Sequence, residues 1–253
     1  MAQPALRSDG PDDFGPPPPP PRSEPVFNLP RVVLLALGVL AVVFAVQSLV
    51  PPAWEETIVV TFGFSPVRYD VAFEHQSGEW LWTPLTYSLL HGSIAHLGFN
   101  ALWLAAFGTP VARRIGAARF LAFWVFSSAA GAALHAAVNW GQPTLMVGAS
   151  AVVSGLMGAA CRFAFGRRGR SGLSDSDAAI YAPRLSVLQA LRERTVLVFT
   201  AAWLFGNVVI AFGIPLFGDM SAAVAWDAHI GGFLSGFLFF ALFDRRAKGG
   251  EVV

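Results

Sequence analysis

Residues 146–155 read MVGASAVVSG and open an apolar run that continues to Phe165. The stretch is small and uncharged, yet it contains two serines, Ser150 and Ser154, together with two glycines. Small residues of this kind form the packing faces of membrane helices, because they let two backbones approach closely. The stretch therefore raises two questions: whether the chain lies in a bilayer, and whether one of the serines does chemistry.

The composition indicates a membrane protein. Hydrophobic residues make up 55% of the 253 residues and charged residues only 13%, whereas a soluble domain carries about 25% charged residues. The net charge is +1 and no basic cluster is dense enough for nucleic-acid binding, so no nucleic acid is expected as a partner. The single cysteine, Cys161, excludes an internal disulfide framework.

The two ends of the chain differ from its middle. Residues 1–30 contain GPDDFGPPPPPPRSEP, whose proline run favours extended geometry and cannot form a packed core. We predict that residues 1–30 form a disordered cytoplasmic tail, that 31–244 form the membrane domain, and that 245–253 form a short cytoplasmic tail. The apolar run after the proline tract is too long for a typical signal-peptide core.

Six hydrophobic runs approach the length of about 20 residues that a bilayer core requires. They cover approximately 32–50, 88–111, 118–138, 148–166, 195–214 and 222–243. Arginines lie before the first run, after the second, after the fourth and after the sixth, whereas the other connections contain only Arg68. Because cytoplasmic loops carry the excess of Lys and Arg, we predict an all-α polytopic membrane protein of six helices with both termini in the cytoplasm. The first external connection has room for short interfacial helices.

A few polar side chains fall within these runs, and at membrane depth each is a functional candidate. Counting back from the cytoplasmic arginines at about 1.5 Å per residue places Ser150, His229, His96 and Asn100 in the outer half of the bilayer. Four polar side chains from three predicted helices therefore share one layer.

Two small-residue stripes would bring the serine and one histidine together. One stripe, on the fourth run, contains Ser150, Ser154 and Gly158, and the other, on the sixth run, contains His229, Gly232 and Gly236. If these faces pack against each other, Ser150 and His229 become neighbours, as a serine nucleophile and its base must be. His96 and Asn100 are spaced i, i+4 and face the same layer, where they could donate to a developing oxyanion, as could the Ser150 backbone N–H in the first turn of its helix.

Three ordered motifs in this chain resemble those of the rhomboid family of intramembrane serine proteases. They are HGSIAHLGFNALWLAAFG from residue 91, GASAVVSGLMG from Gly148, and AHIGGFLSG from residue 228. The resemblance covers roughly 81–243 and implies a six-helix bundle that cleaves transmembrane segments of other proteins near their outer ends, without a cofactor. It implies Ser150 as nucleophile and His229 as general base in a dyad, with His96, Asn100 and the Ser150 N–H as the oxyanion hole.

The chain departs from the family pattern at three places. Ala151 follows the serine where glycine is frequent, and Thr83 follows Trp82 where arginine is frequent. Ser154 stands where some members carry a tyrosine that stacks on the catalytic histidine, so His229 must be held by another residue, with Trp226 and Met157 as the candidates. We expect the methyl group of Ala151 to be tolerated and the Thr83 change to affect the anchoring of the first external loop.

The remaining polar residues receive simpler interpretations. We expect Ser154 to pack, Asp227 to be an interfacial charge, His91 to form local hydrogen bonds, and His135 and Asn139 to form hydrogen bonds at the outer boundary. No metal site is expected, because His91 and His96 lack further convergent ligands.

The sequence thus predicts a multi-pass protease in the bacterial inner membrane, with its active site open to the external side and transmembrane proteins as substrates. Two alternatives remain open: a catalytically inactive relative that binds membrane proteins, and a small transporter or proton channel that uses the same polar layer.

Overall fold

The computed structural model describes residues 28–165, 182–212 and 225–244. Within these ranges every regular element is a helix, as the sequence predicts, and one isolated antiparallel bridge joins Phe64 to Met146. The helices are α1 (Arg31–Leu49), α2 (Pro52–Phe62), α3 (Glu79–Thr86), α4 (Ile94–Ile115), α5 (Ala117–Val138), α6 (Ser150–Ala160), α7 (Val187–Ala190), α8 (Arg194–Ala211) and α9 (Trp226–Phe239). Residues 1–27 of the predicted N-terminal tail, and all of the predicted C-terminal tail, lie outside the described residues.

Each of the six predicted spans corresponds to one helix. By length and composition α1, α4 and α5 can cross a membrane, and α6, α8 and α9 are shorter apolar helices. The first predicted connection contains two further helices, α2 and α3. The six-span count and the cytoplasmic placement of the termini stay predictions.

The second span begins later than the hydropathy of the sequence indicates. Residues 87–89 form a 3₁₀ turn, and α4 starts only at Ile94, where the Ser93 hydroxyl accepts a hydrogen bond from the His96 N–H at 3.1 Å. Serine is a strong N-cap because its side chain satisfies one of the free amides of the first turn. His91 therefore lies in the loop before the helix and not within it.

Helix α6 forms the centre of the bundle. Every residue from Ala151 to Ala160 is buried, and the most extensive contacts of the fold are those of α9 with α6 and with α5. The core around α6 contains Phe120, Phe123 and Phe233. The helix that carries both candidate serines is therefore enclosed by other helices.

The first external connection is fixed by hydrogen bonds to backbone carbonyls. Arg68 donates to the carbonyls of Gly63, at 2.7 Å, and Val60. Trp82 donates through Nε1 to the Thr61 carbonyl at 2.9 Å, and the neighbouring Thr83 is fully buried. The sequence predicts that Thr83, in place of arginine, affects the anchoring of this loop. In the structure Arg68 and Trp82 anchor it.

An ion-pair cluster joins the C-terminal end of α4 to the segment that follows α9. Arg114 and Asp244 form a salt bridge of 2.9 Å, and both side chains are 2% exposed. Arg184 also donates to the Asp244 carbonyl at 2.9 Å, and the Arg114 guanidinium lies 4.5 Å from the centre of the Phe163 ring. Some of the arginines that predict the cytoplasmic side thus also connect the ends of the helices.

Candidate active site

The loop before α6 delivers Ser150 as the first residue of the helix. Gly148 has φ of +122°, a conformation that glycine adopts without steric cost. A Cβ at Gly148 would lie 2.6 Å from Cε1 of His96, so the His96 ring rests directly on this backbone. As the first helical residue, Ser150 has an N–H with no carbonyl to bond within its own helix.

The two small-residue stripes face each other at backbone distance. A Cβ at Gly232 would overlap the carbonyl oxygen of Ala151, and one at Gly236 would overlap that of Gly155. On the α6 side, a Cβ at Gly158 would overlap the Phe233 carbonyl. Glycine at these positions lets α6 and α9 approach more closely than any larger residue would permit.

This close packing brings Ser150 and His229 together. The Ser150 Oγ and the His229 Nε2 lie 2.8 Å apart, within the reach that proton transfer between a serine and its base requires. The other ring nitrogen, Nδ1, lies 2.8 Å from Oδ1 of Asn207 on α8. Of the two residues expected to hold His229, neither Trp226 nor Met157 makes this contact, and Asn207 does.

The two side chains predicted as oxyanion donors have different surroundings. The His96 ring lies against Gly148, two residues before Ser150, and its centroid is 5.1 Å from that of His91. Asn100 is buried, and one of its amide hydrogens is used in a 3.0 Å bond from Nδ2 to the His96 carbonyl. One N–H of Asn100 is left for another acceptor.

The second serine and the nearby loop histidine are both buried. Ser154 is 4% exposed, one turn into α6. His91 is buried before α4, its backbone N–H donates to Gln47 Oε1 at 3.3 Å, and its Nε2 lies 3.5 Å from the Ala149 N–H. The contacts of His91 therefore reach α1 and the loop before α6, beyond the local hydrogen bonds expected from the sequence.

Asp227, expected from the sequence to be an interfacial charge, belongs to a hydrogen-bonded cluster inside the protein. Its side chain is buried, with Oδ1 2.8 Å from His135 Nδ1 and Oδ2 accepting from Asn139 Nδ2 at 2.6 Å. It also accepts from the Ala228 N–H at 2.7 Å. The carboxylate thus joins the end of α5 to the first turn of α9, two residues before His229. The expected hydrogen bonding of His135 and Asn139 is present, with Asp227 as their partner.

Replacing Asp227 with alanine should therefore disturb the position of His229. The change removes an acceptor from the buried His135, the half-buried Asn139 and the buried Ala228 N–H, and buried donors left without a partner cost about 1–3 kcal/mol each. We expect a lower thermal unfolding midpoint and a lower rate of serine labelling by an active-site probe. Asp227→Asn keeps part of the hydrogen bonding and should lie between. An unchanged midpoint in Asp227→Ala would contradict a structural role for this cluster.

Asn207 is the functional candidate that the sequence interpretation missed. It is the single polar amide within FTAAWLFGNVV on the fifth predicted span. The rule that singled out the other buried polar residues, the cost of polar groups at membrane depth, applies to Asn207 equally. Among the described residues there is no group of three or more His, Cys, Asp or Glu side chains that could hold a metal ion.

Comparison with known proteins places the chain in a family. The family model for the Rhomboid domain matches residues 78–246, more than half of the chain. The chain is 25% identical over 220 residues to the Rhomboid protease GlpG of Serratia proteamaculans, which covers 85% of this chain and 64% of that protein. It is 37% identical over 91 residues to the Rhomboid protease GluP of Bacillus subtilis, which covers 36% of this chain and 17% of that protein. The matched segments thus span less than two thirds of either relative. With its apolar helices and its matching domain, the chain is an integral membrane protein that belongs to the rhomboid family.

Proposed function

We propose that the protein is an intramembrane serine endopeptidase that cleaves transmembrane segments of other membrane proteins with a Ser150–His229 dyad. The observation that carries the proposal is the 2.8 Å contact of the Ser150 Oγ with the His229 Nε2, formed between two closely packed helices. The names of the two relatives, both rhomboid proteases, support the same activity.

In the proposed reaction each of these groups has a defined role. His229 Nε2 takes the proton of the Ser150 hydroxyl while Oγ attacks the scissile carbonyl carbon of the substrate. The carbonyl oxygen becomes an oxyanion, and the Ser150 N–H, with His96 and Asn100, supplies donors near it. The His229 imidazolium then protonates the leaving amine, the peptide bond breaks, and Ser150 is left acylated. Water, deprotonated by His229, then attacks the ester carbonyl. The histidine returns this proton to the Ser150 Oγ as the ester bond breaks and the carboxylic acid product leaves.

The membrane in which the protein lies and the side to which its site opens are part of the same proposal. The protein would lie in the bacterial inner membrane with the site open to the external side, where water can reach Ser150. No cofactor takes part in this scheme, since the serine, the histidine and the donors supply all of its steps.

The test is to react the protein, reconstituted in liposomes, with a fluorophosphonate probe and to map the adduct by peptide mass spectrometry. We expect labelling on Ser150, its complete loss in Ser150→Ala, and near-normal labelling in the matched control Ser154→Ala. Cleavage of a single-span reporter protein should follow the same order. A folded wild-type protein that neither takes the probe nor cuts the reporter would overturn the proposal and favour the alternative, an inactive rhomboid.

A further inference from the structure

Asn207 occupies an unusual position on its helix. Helix α8 has mostly exposed or half-buried side chains, and of its described side chains only Val196 and Asn207 are buried. A polar amide at a buried position of a membrane helix is unfavourable unless it is hydrogen-bonded. Asn207 has two partners: its Nδ2 donates to the Trp203 carbonyl at 2.9 Å, and its Oδ1 faces Nδ1 of His229 at 2.8 Å.

These two contacts together determine the protonation pattern of His229. The Trp203 carbonyl can only accept a hydrogen bond, so it must face the NH₂ end of the Asn207 amide. The oxygen of the amide is then directed at His229, and an oxygen can only accept. The hydrogen of the neutral imidazole therefore lies on Nδ1, which leaves Nε2 without a hydrogen and free to accept the Ser150 proton.

We propose that Asn207 is a positioning residue that holds His229 in the tautomer and orientation needed to deprotonate Ser150, so that the dyad is extended to a three-helix array Ser150–His229–Asn207. The inference rests on the proposed protease function. The array is built from α6, α9 and α8, and each member contacts the next at 2.8 Å. Asn207 thus holds His229 in place, the role for which Trp226 and Met157 were the candidates from the sequence.

A structural role alone would be the simpler explanation of the same contacts. Asn207 would then only attach α8 to α9, in addition to the stacking of Trp203 on Phe233, whose ring centroids are 4.5 Å apart. The two explanations differ in what they predict for the chemical step. An attachment affects the unfolding temperature, whereas a positioning residue affects kcat and the pH dependence of the rate.

The experiment measures kcat and KM for a single-span reporter in liposomes across a pH series, together with the thermal unfolding midpoint. The variants are Asn207→Leu, which removes the acceptor, and Asn207→Asp, which retains it. Phe205→Leu is the control on the same helix, since its side chain is 70% exposed. We expect Asn207→Leu to lower kcat by about 10- to 100-fold, as does removal of the hydrogen-bond partner that orients a metal-bound histidine, with KM within about twofold.

Asn207→Asp separates positioning from attachment. We expect it to recover most of kcat, with the acidic limb of its rate profile moved to higher pH, because a carboxylate at Nδ1 stabilises the imidazolium. An Asn207→Leu variant with wild-type kcat would overturn the inference, as would an Asn207→Asp profile identical to wild type. If Asn207→Leu does not fold, the Asn207→Asp profile alone decides. Ser150→Ala distinguishes a failure of this inference from a failure of the proposed function. Activity in Ser150→Ala would overturn the proposed protease and this inference with it.

Discussion

Replacing His229 with alanine should lower the rate of reporter cleavage by at least about 10³-fold, to the level left in Ser150→Ala. The reason is that a serine and its base act as one unit: without the base the hydroxyl is not activated, and without the hydroxyl the base has no proton to take. In serine proteases the loss of either member costs nearly as much as the loss of all of them. The double variant should therefore be no slower than either single variant.

The measurement compares turnover in liposomes for wild type, the two single variants and the double variant. His75→Ala is the matched control, because His75 is an exposed histidine in the first external connection. Its rate should equal that of wild type. A His229→Ala protein with more than a tenth of wild-type turnover, or a double variant much slower than both singles, would show that Ser150 and His229 do not act together.

Replacing Gly232 with alanine should have the largest effect on stability. The added Cβ would overlap the Ala151 carbonyl oxygen, and this atom belongs to the backbone of α6, so it cannot turn aside as a side chain can. Overpacking a well-packed core costs about 1–3 kcal/mol even where side chains can adjust, so we expect the upper end of this range or more. Because Ala151 follows Ser150 directly, separation of α6 and α9 should also abolish labelling of the serine.

Two other helical glycines provide the control for this change. Gly38 on α1 and Gly206 on α8 have no neighbouring heavy atom within 4 Å of the position a Cβ would take. Alanine there should be neutral or stabilising by up to about 1 kcal/mol, since alanine is the better helix former. Thermal unfolding in one detergent, followed by circular dichroism, compares the three variants. A Gly232→Ala midpoint equal to that of Gly38→Ala would contradict backbone contact between α6 and α9.

The features of the fold that depend on hydropathy could be predicted from the sequence. Each long apolar run corresponds to a helix because lipid favours segments that satisfy their own backbone hydrogen bonds. The predicted start of α4 is too early because hydropathy does not register an N-cap. The helix begins only after Ser93, whose hydroxyl caps its first turn. Boundaries are set by single polar atoms, which an average over many residues does not resolve.

The features of the site that depend on long-range contacts were harder to predict. The proximity of Ser150 and His229 could be inferred because the two small-residue stripes indicate how α6 and α9 face each other. No comparable pattern relates Asn207 to His229 or Asp227 to His135, since these contacts depend on how α8 and α5 rotate about their own axes. A single polar residue in an apolar helix can be recognised from the sequence as a functional candidate, but its hydrogen-bond partner is determined by the packing of the whole bundle.

Because α6 is enclosed by other helices, it has little direct contact with the lipid bilayer. A helix of 11 residues is about 17 Å long, far shorter than a hydrocarbon core of about 30 Å, and its buried side chains form no boundary with the acyl chains. The bilayer acts on outer helices such as α1, which can tilt when its thickness changes. The serine helix is thus surrounded by other helices, and its packing against α9 does not depend directly on the thickness of the bilayer.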